Sequence, residues 1–267
     1  MRYIAVIITW LICTSCEKVV NIKLDTADKK YVVEGVLTNQ PGTCMVLLSQ
    51  TKDFDASNDF TGVSGATVQI SEKDGAVTRL TETSTGVYQA ANFTGTSGKT
   101  YTLSVSINGQ SFLALSTMPA QVNMDSIFIT EDEAPGGNRK MANVQYNDPA
   151  KVANNYRFIQ YVNGVKEQEI FVRNDELTDG NLTITKLRYP KNDNDEPDNS
   201  IKTGDLVKID MQCIDSAIYK YWYSLNRSAT GGGQNSATPA NPVTNMTGGA
   251  LGYFSAHTLQ NRTVLVQ

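Results

Sequence analysis

The sequence predicts an all-β protein, with an N-terminal β-sandwich followed by a second β-rich domain that carries one short α-helix. Three observations predict it. Apolar residues alternate with polar ones in stretch after stretch, most clearly at Tyr101, Leu103, Val105 and Ile107, the mark of half-buried strands. The dipeptides Asn108-Gly109 and Asn163-Gly164 stand between such stretches and supply the two left-handed residues of a tight hairpin turn. Helical spacing occurs in one place, where Ile218, Trp222 and Leu225 fall on one face.

In chain order, "EKVVNIKL" reads as a short strand and "KYVVEGVLTN" as a longer one, closed by the turn "NQPG". "TCMVLLSQT" returns. After the polar loop "KDFDASNDFTG", strands follow in "ATVQISEKDGAVTRLTET", "TGVYQA" and the hairpin "KTYTLSVSINGQSFLALS". Met118-Pro119 marks a boundary. The second half restarts at "DSIFIT", runs through "ANVQYNDPAKVANNYRFIQYVNGVKEQEIFV", and reaches "DLVKIDMQCI" after the polar stretch "RYPKNDNDEPDNSIKTGD". The helix is expected near 216–228, with Asp215 as its cap and Gly231 as its stop. The loop "GGGQNSATPANPVTN" and a strand "RTVLVQ" end the chain. The expected division is 1–15 leader, 16–27 tether and first strand, 28–118 sandwich, and 119–267 second domain.

The N-terminus carries a positive charge at Arg2, an apolar run from Ile4 to Ile12, and then Thr14-Ser15-Cys16. The run is shorter than the ~20 residues a spanning helix needs, and it fits a signal peptide. Cys13 and Cys16 have redox or half-zinc spacing, but no second ligand pair accompanies them and no βαβ context surrounds them. Small-small-Cys after an apolar core resembles a bacterial lipobox, with Cys16 as the lipidated residue and Cys13 discarded. Cys44 and Cys213 lie in alternating apolar stretches of different domains and read as two separate buried thiols.

The formal charge of −4 becomes −5 without residues 1–15. A mildly acidic chain without a basic run has no electrostatic footprint for nucleic acid. "TGTSGKT" fails as a phosphate loop, because the required first glycine falls on Phe93 and the segment enters a strand. His257 is the single histidine, and no GxSxG elbow supplies a nucleophilic serine. Asp193, Asp195 and Asp198 concentrate carboxylates as a calcium candidate, but the EF-hand glycine and glutamate positions fall on Asp198 and Gly204. No cofactor motif is present, and nothing singles out a glycosidase carboxylate pair. Tyr219, Tyr221, Trp222 and Tyr223 ring the helix, so some of them must face outward. Gly248-Gly249 permits a close backbone approach before Tyr253 and Phe254.

Three stretches together carry a resemblance: "CEKVVNIKL" with "KYVVEGVLTNQPG", "GATVQI" with "TGVY" and "GKTYTLSV", and "PANPVTNMTGGALGYFSAHT". They resemble the DUF4249 family of Bacteroidota lipoproteins. The middle stretch is also similar to carboxypeptidase-regulatory and transthyretin-like sandwiches, making the expected N-terminal module Ig/transthyretin-like. The family assigns no catalytic residue. It implies an outer-membrane lipoprotein, surface-exposed, encoded beside TonB-dependent β-barrel receptors that import nutrients. Glu17-Lys18 is similar to the charged export signals of such lipoproteins. The expected function is therefore a non-enzymatic accessory or ligand-binding partner of such a transporter. The alternatives are a glycan- or protein-binding adhesin and a carboxylate-dependent hydrolase. The uncharged loop over 228–257 is the expected contact region, with Trp222, Gly231, Asn241, Asn245, Tyr253 and Phe254 as its candidate residues.

Overall fold

The computed structural model describes residues 28–52, 59–73, 75–132, 139–188, 201–229 and 241–267. The leader, Cys16, the expected first strand, Gly231 and the acidic run at Asp193, Asp195 and Asp198 lie outside the described residues.

Among the described residues the protein is all-β with one helix, α1 (Ser216–Ala229). The first module builds from β1 (Tyr31–Thr38) and β2 (Cys44–Gln50), then β3 (Thr67–Glu72), β4 (Val77–Arg79), β5 (Thr81–Ser84) and β6 (Val87–Ala90), and the hairpin β7 (Thr100–Ile107) and β8 (Gln110–Thr117). The second contains β9 (Met124–Asp132), β10 (Arg139–Asn147), β11 (Asn155–Val162), β12 (Val165–Lys166), β13 (Phe171–Asn174), β14 (Leu182–Leu187) and β15 (Leu206–Cys213). After α1 come β16 (Met246–Thr247) and the 15-residue β17 (Leu251–Leu265). Both expected hairpin turns are present, with φ of 47° and 75° at Asn108-Gly109 and 52° and 83° at Asn163-Gly164.

Three sheets result among the described residues. The largest runs β12-β11-β15-β17-β1-β2-β6-β5, with β13 also on β11. A second runs β16-β8-β7-β3-β4, and a third β14-β10-β9. The burial alternation of β1 and β7 turns Val33, Leu37, Leu103 and Val105 into one interior, shared with Tyr88, Phe112, Met118 and Phe254. Another interior joins Tyr146, Tyr156, Phe158, Ile209 and Met211, opening at Val122. The first interior holds Met118 but also Met246, Ala250 and Ala256 from near the chain's end. Hydrogen bonding does not stop at the expected Met118-Pro119 boundary either.

The strand that crosses the boundary is β17. Its first half pairs parallel with β1, from Val32 opposite Leu251 to Thr38 opposite His257. Its second half pairs antiparallel with β15, from Cys213 opposite Thr258 to Leu206 opposite Leu265. Residues 28–118 thus do not close their own sandwich, because the chain's end supplies one of its central strands. This entry was invisible as a single element in the sequence, where "GALGYFSAHT" and "RTVLVQ" read as separate pieces.

Two glycines allow the insertion. A Cβ on Gly35 would meet Phe254 and Leu103 at 2.9 and 2.8 Å, so the bare backbone of β1 is what admits the Phe254 ring. Gly252 has φ +92°, and a Cβ there would sit 2.0 Å from the Val33 carbonyl oxygen. Gly252→Ala should therefore cost about 3 kcal/mol or more in urea unfolding, combining left-handed strain with a backbone clash. Gly249→Ala, where φ is +90° and nothing lies within 4 Å, should cost only about 1–2 kcal/mol.

Candidate functional site

The pairing of β1, β17, β15 and β11 sets one outer face of the largest sheet, and α1 packs on part of it. Register places Glu34 beside Tyr253 and Val36 beside Ser255. Across the other edge it places Arg157 beside Gln212, Ile159 beside Asp210, and Tyr161 beside Lys208. The helix is anchored there by apolar and aromatic contacts: Ile218, Tyr221 and Tyr253 are buried together with Val172 and Ile214, and Val36, Ile170 and Trp222 pack against them.

The helix start is fixed by Asp215. Its Oδ1 accepts from the Ile218 amide at 2.9 Å, the expected cap. Its Oδ2 accepts from the Ser116 hydroxyl at 2.5 Å and the Thr117 amide at 3.1 Å, both on β8. Ser116 in turn accepts from the Ala256 amide at 2.9 Å. One carboxylate thereby ties the helix to the N-terminal module and to β17.

At the centre of this face Arg157 lies over the Trp222 ring, 3.5 Å from its centroid, and donates to Gln212 Oε1 at 3.3 Å. Tyr221, Trp222 and Tyr253 meet one another at centroid distances of 4.8 to 5.2 Å. Among the described residues Arg157 makes no ion pair, so the aromatic faces are its main compensation. Burial pushes the guanidinium below its ordinary value, opposed by the surrounding tyrosines. Burial likewise pushes the Tyr253 hydroxyl up to about 12. Beside them Lys208 sits 3.1 Å from Asp210 Oδ1 and 4.5 Å from the Tyr161 ring centroid. Burial raises Glu34, with the Lys166 charge working against it, and burial followed by Arg157 repulsion lowers Lys166.

The sequence-derived contact residues separate here. Trp222 and Tyr253 come together, but each spends its ring on the helix–sheet joint. Phe254 is fully enclosed in the first core and offers no surface to a partner. Asn245 is a clip: it donates to the Leu115 and Phe254 carbonyls at 3.0 and 2.8 Å, and its oxygen accepts the Phe254 amide at 3.0 Å. Asn241 is exposed. What α1 does present to solvent is Tyr223, 43 % exposed and stacked on Tyr219 at 5.7 Å, with Arg227 donating to its hydroxyl at 3.0 Å. Val243, 57 % exposed, is pinned next to this group by its amide donating to Ser224 Oγ at 2.9 Å.

A family model described as a domain of unknown function, DUF4249, matches residues 17–263. The chain belongs to the DUF4249 family. No curated protein matches it. The DUF4249 chain keeps Cys44 and Cys213 as free, buried thiols in the two separate cores. No helix among its described residues is long and apolar enough to cross a membrane.

Sequence reasoning missed Arg157, Glu34 and Lys166. "NYRFIQYV" does show a charged residue on the outward phase of a strand between tyrosines, but only the sheet order brings it under Trp222.

His257 of the DUF4249 chain is buried, and Ser255 Oγ lies 2.8 Å from its Nδ1. Burial, then Arg157 repulsion, pushes its imidazole down to about 3. The folded state thus holds the ring neutral where the unfolded chain, with a pKa near 6.5, takes up a proton. That difference favours unfolding below pH ~6.5, and the loss continues until the folded form itself protonates near 3. Between pH 7 and 5 the term amounts to about 2 kcal/mol. Urea unfolding should show a loss of that size in the parent chain over and above the loss in His257→Asn, whereas equal losses would place the imidazole in contact with water.

Proposed function

We propose that this DUF4249 chain is a non-enzymatic lipoprotein of the outer membrane, held by a lipid on Cys16. In this reading it serves as an accessory or ligand-binding partner of a TonB-dependent β-barrel transporter. The observation that carries the partner-binding part is the exposed aromatic group on α1. Tyr223 and Val243, the latter tied to the helix through Ser224, present apolar surface to solvent, and interface cores favour aromatics. Two further features support it. The leader-like residues 1–15 end in Thr14-Ser15 and are followed by Cys16, which fits an anchor. The sole histidine, His257, is buried, out of a substrate's reach.

The adhesin reading draws on the same surface, since stacked tyrosines flanked by an arginine suit a sugar ring as well as a protein. A tagged chain pulled down from native outer membrane discriminates between the two. The transporter reading expects a large β-barrel recovered at near-equal amount, and Tyr223→Ala combined with Val243→Asp should lower that recovery at least tenfold while Leu177→Asp, 96 % exposed elsewhere, does not. Glycan retention without a barrel would favour the adhesin. Palmitate-analogue labelling tests the anchor: Cys13→Ser should keep the label and Cys16→Ser should lose it.

A further inference from the structure

Two loops at one end of the second module converge on three carboxylates. Asp148 follows β10, and Asp175 and Asp179 belong to the loop after β13. A carboxylate oxygen from each lies within 4.8 Å of the other two. Oxygens on opposite sides of one bound Ca²⁺ are about 4.6–5.2 Å apart, so three donors at this spacing can share a single ion.

The cluster differs from a solvated acidic patch in two ways. Asp148 is 4 % exposed, and its Oδ2 is buried without any hydrogen-bond donor. Thr178 Oγ1, within the second loop, is also buried and unpartnered. Buried oxygens left in this condition are costly unless something supplies positive charge. Among the described residues no lysine or arginine forms an ion pair with Asp148, Asp175 or Asp179.

The loops are also held in place before any ion arrives. Asp175 Oδ2 accepts from the Asn154 amide at 2.6 Å, and Asp179 Oδ1 accepts from the Lys151 amide at 2.7 Å. Asp148 Oδ1 accepts from the Tyr156 hydroxyl. Each carboxylate therefore commits one oxygen to the protein and retains the other. The Asp175 carbonyl accepts from the Thr178 and Asp179 amides at 2.8 and 2.9 Å, and the Asp148 amide donates to the Asn181 carbonyl at 3.0 Å, tying one loop to the other. Asp179 is exposed, which gives an ion a way in.

We infer that Asp148, Asp175 and Asp179 form a divalent-cation site, with Ca²⁺ as its ion. An all-oxygen donor set of carboxylates selects a hard cation, and a site open to solvent on one side suits the larger, more adaptable coordination shell of Ca²⁺ over the strict octahedron of Mg²⁺. Affinity in the range of extracellular modules, about 10⁻⁴–10⁻³ M, is expected from three carboxylates on loops. The site shares no residue with the acidic run at Asp193 to Asp198 and is independent of any transporter.

The test is thermal unfolding of the full chain in detergent, in EDTA and in about 10 mM CaCl₂ or MgCl₂, with Ca²⁺ calorimetry on the same samples. Ca²⁺ should raise the midpoint by about 5 °C, and Mg²⁺ by clearly less. Asp179→Asn, at an exposed position that should fold, should remove the Ca²⁺ shift and weaken binding at least tenfold. The combined Asp193→Asn, Asp195→Asn, Asp198→Asn variant should keep both. Absence of a Ca²⁺ shift in the parent chain overturns the proposal. So does a shift that survives Asp179→Asn or disappears with the triple variant.

Discussion

Everything in this structure depends on the parallel pairing of β1 with β17. A parallel pair cannot be made by a hairpin, and here the intervening crossover is almost the whole protein. The last strand must therefore return to the first after every other element has been laid down. It does so by fitting Phe254 against the bare backbone of Gly35 and by bringing the chain at Gly252 onto the Val33 carbonyl. Neither contact leaves room for a side chain at the glycine. The same strand then leaves the first sheet partner and continues along β15, so one backbone carries load between two cores that otherwise pack separately.

The outer face of the large sheet follows from that insertion. Tyr253, Ser255 and His257 reach it only because β17 lies between β1 and β15. The helix then packs on Tyr253, held by Asp215 at its start and by the Arg157–Trp222 stack over its middle. The charges there are largely answered from within the face: Lys208 by Asp210, Lys166 by Glu34, and Arg157 by rings. Such an arrangement joins the two modules. On the far side of α1 Tyr223 and Val243 project into solvent, the surface on which the proposed partner contact rests.

Local signals in the chain were read well because their causes are local. The alternation of β7, the left-handed turns at Asn108-Gly109 and Asn163-Gly164, and the capped helix after Asp215 each depend on neighbours a few residues away. The candidate site was only half legible. Trp222 and Tyr253 stand out as aromatics in the sequence, but whether a ring is spent or exposed depends on sheet order. Phe254 and Asn245 illustrate this: strand alternation put Phe254 opposite Tyr253, and only the β1 pairing shows that its side is core. The carboxylates at Asp148, Asp175 and Asp179 escaped notice because no short motif unites them. The run at Asp193 to Asp198 drew attention by density alone.

The central claim is that β17 makes the two modules one cooperative unit. Native-state hydrogen exchange followed by mass spectrometry or NMR tests it most directly. The account predicts that amides of β17, β1, β7 and β15 exchange with a common opening free energy, equal to that of global unfolding. Protection retained in β7 and β8 while the amides of β17 exchange freely would contradict it, because the N-terminal sandwich would then stand without the strand that is here held to complete it.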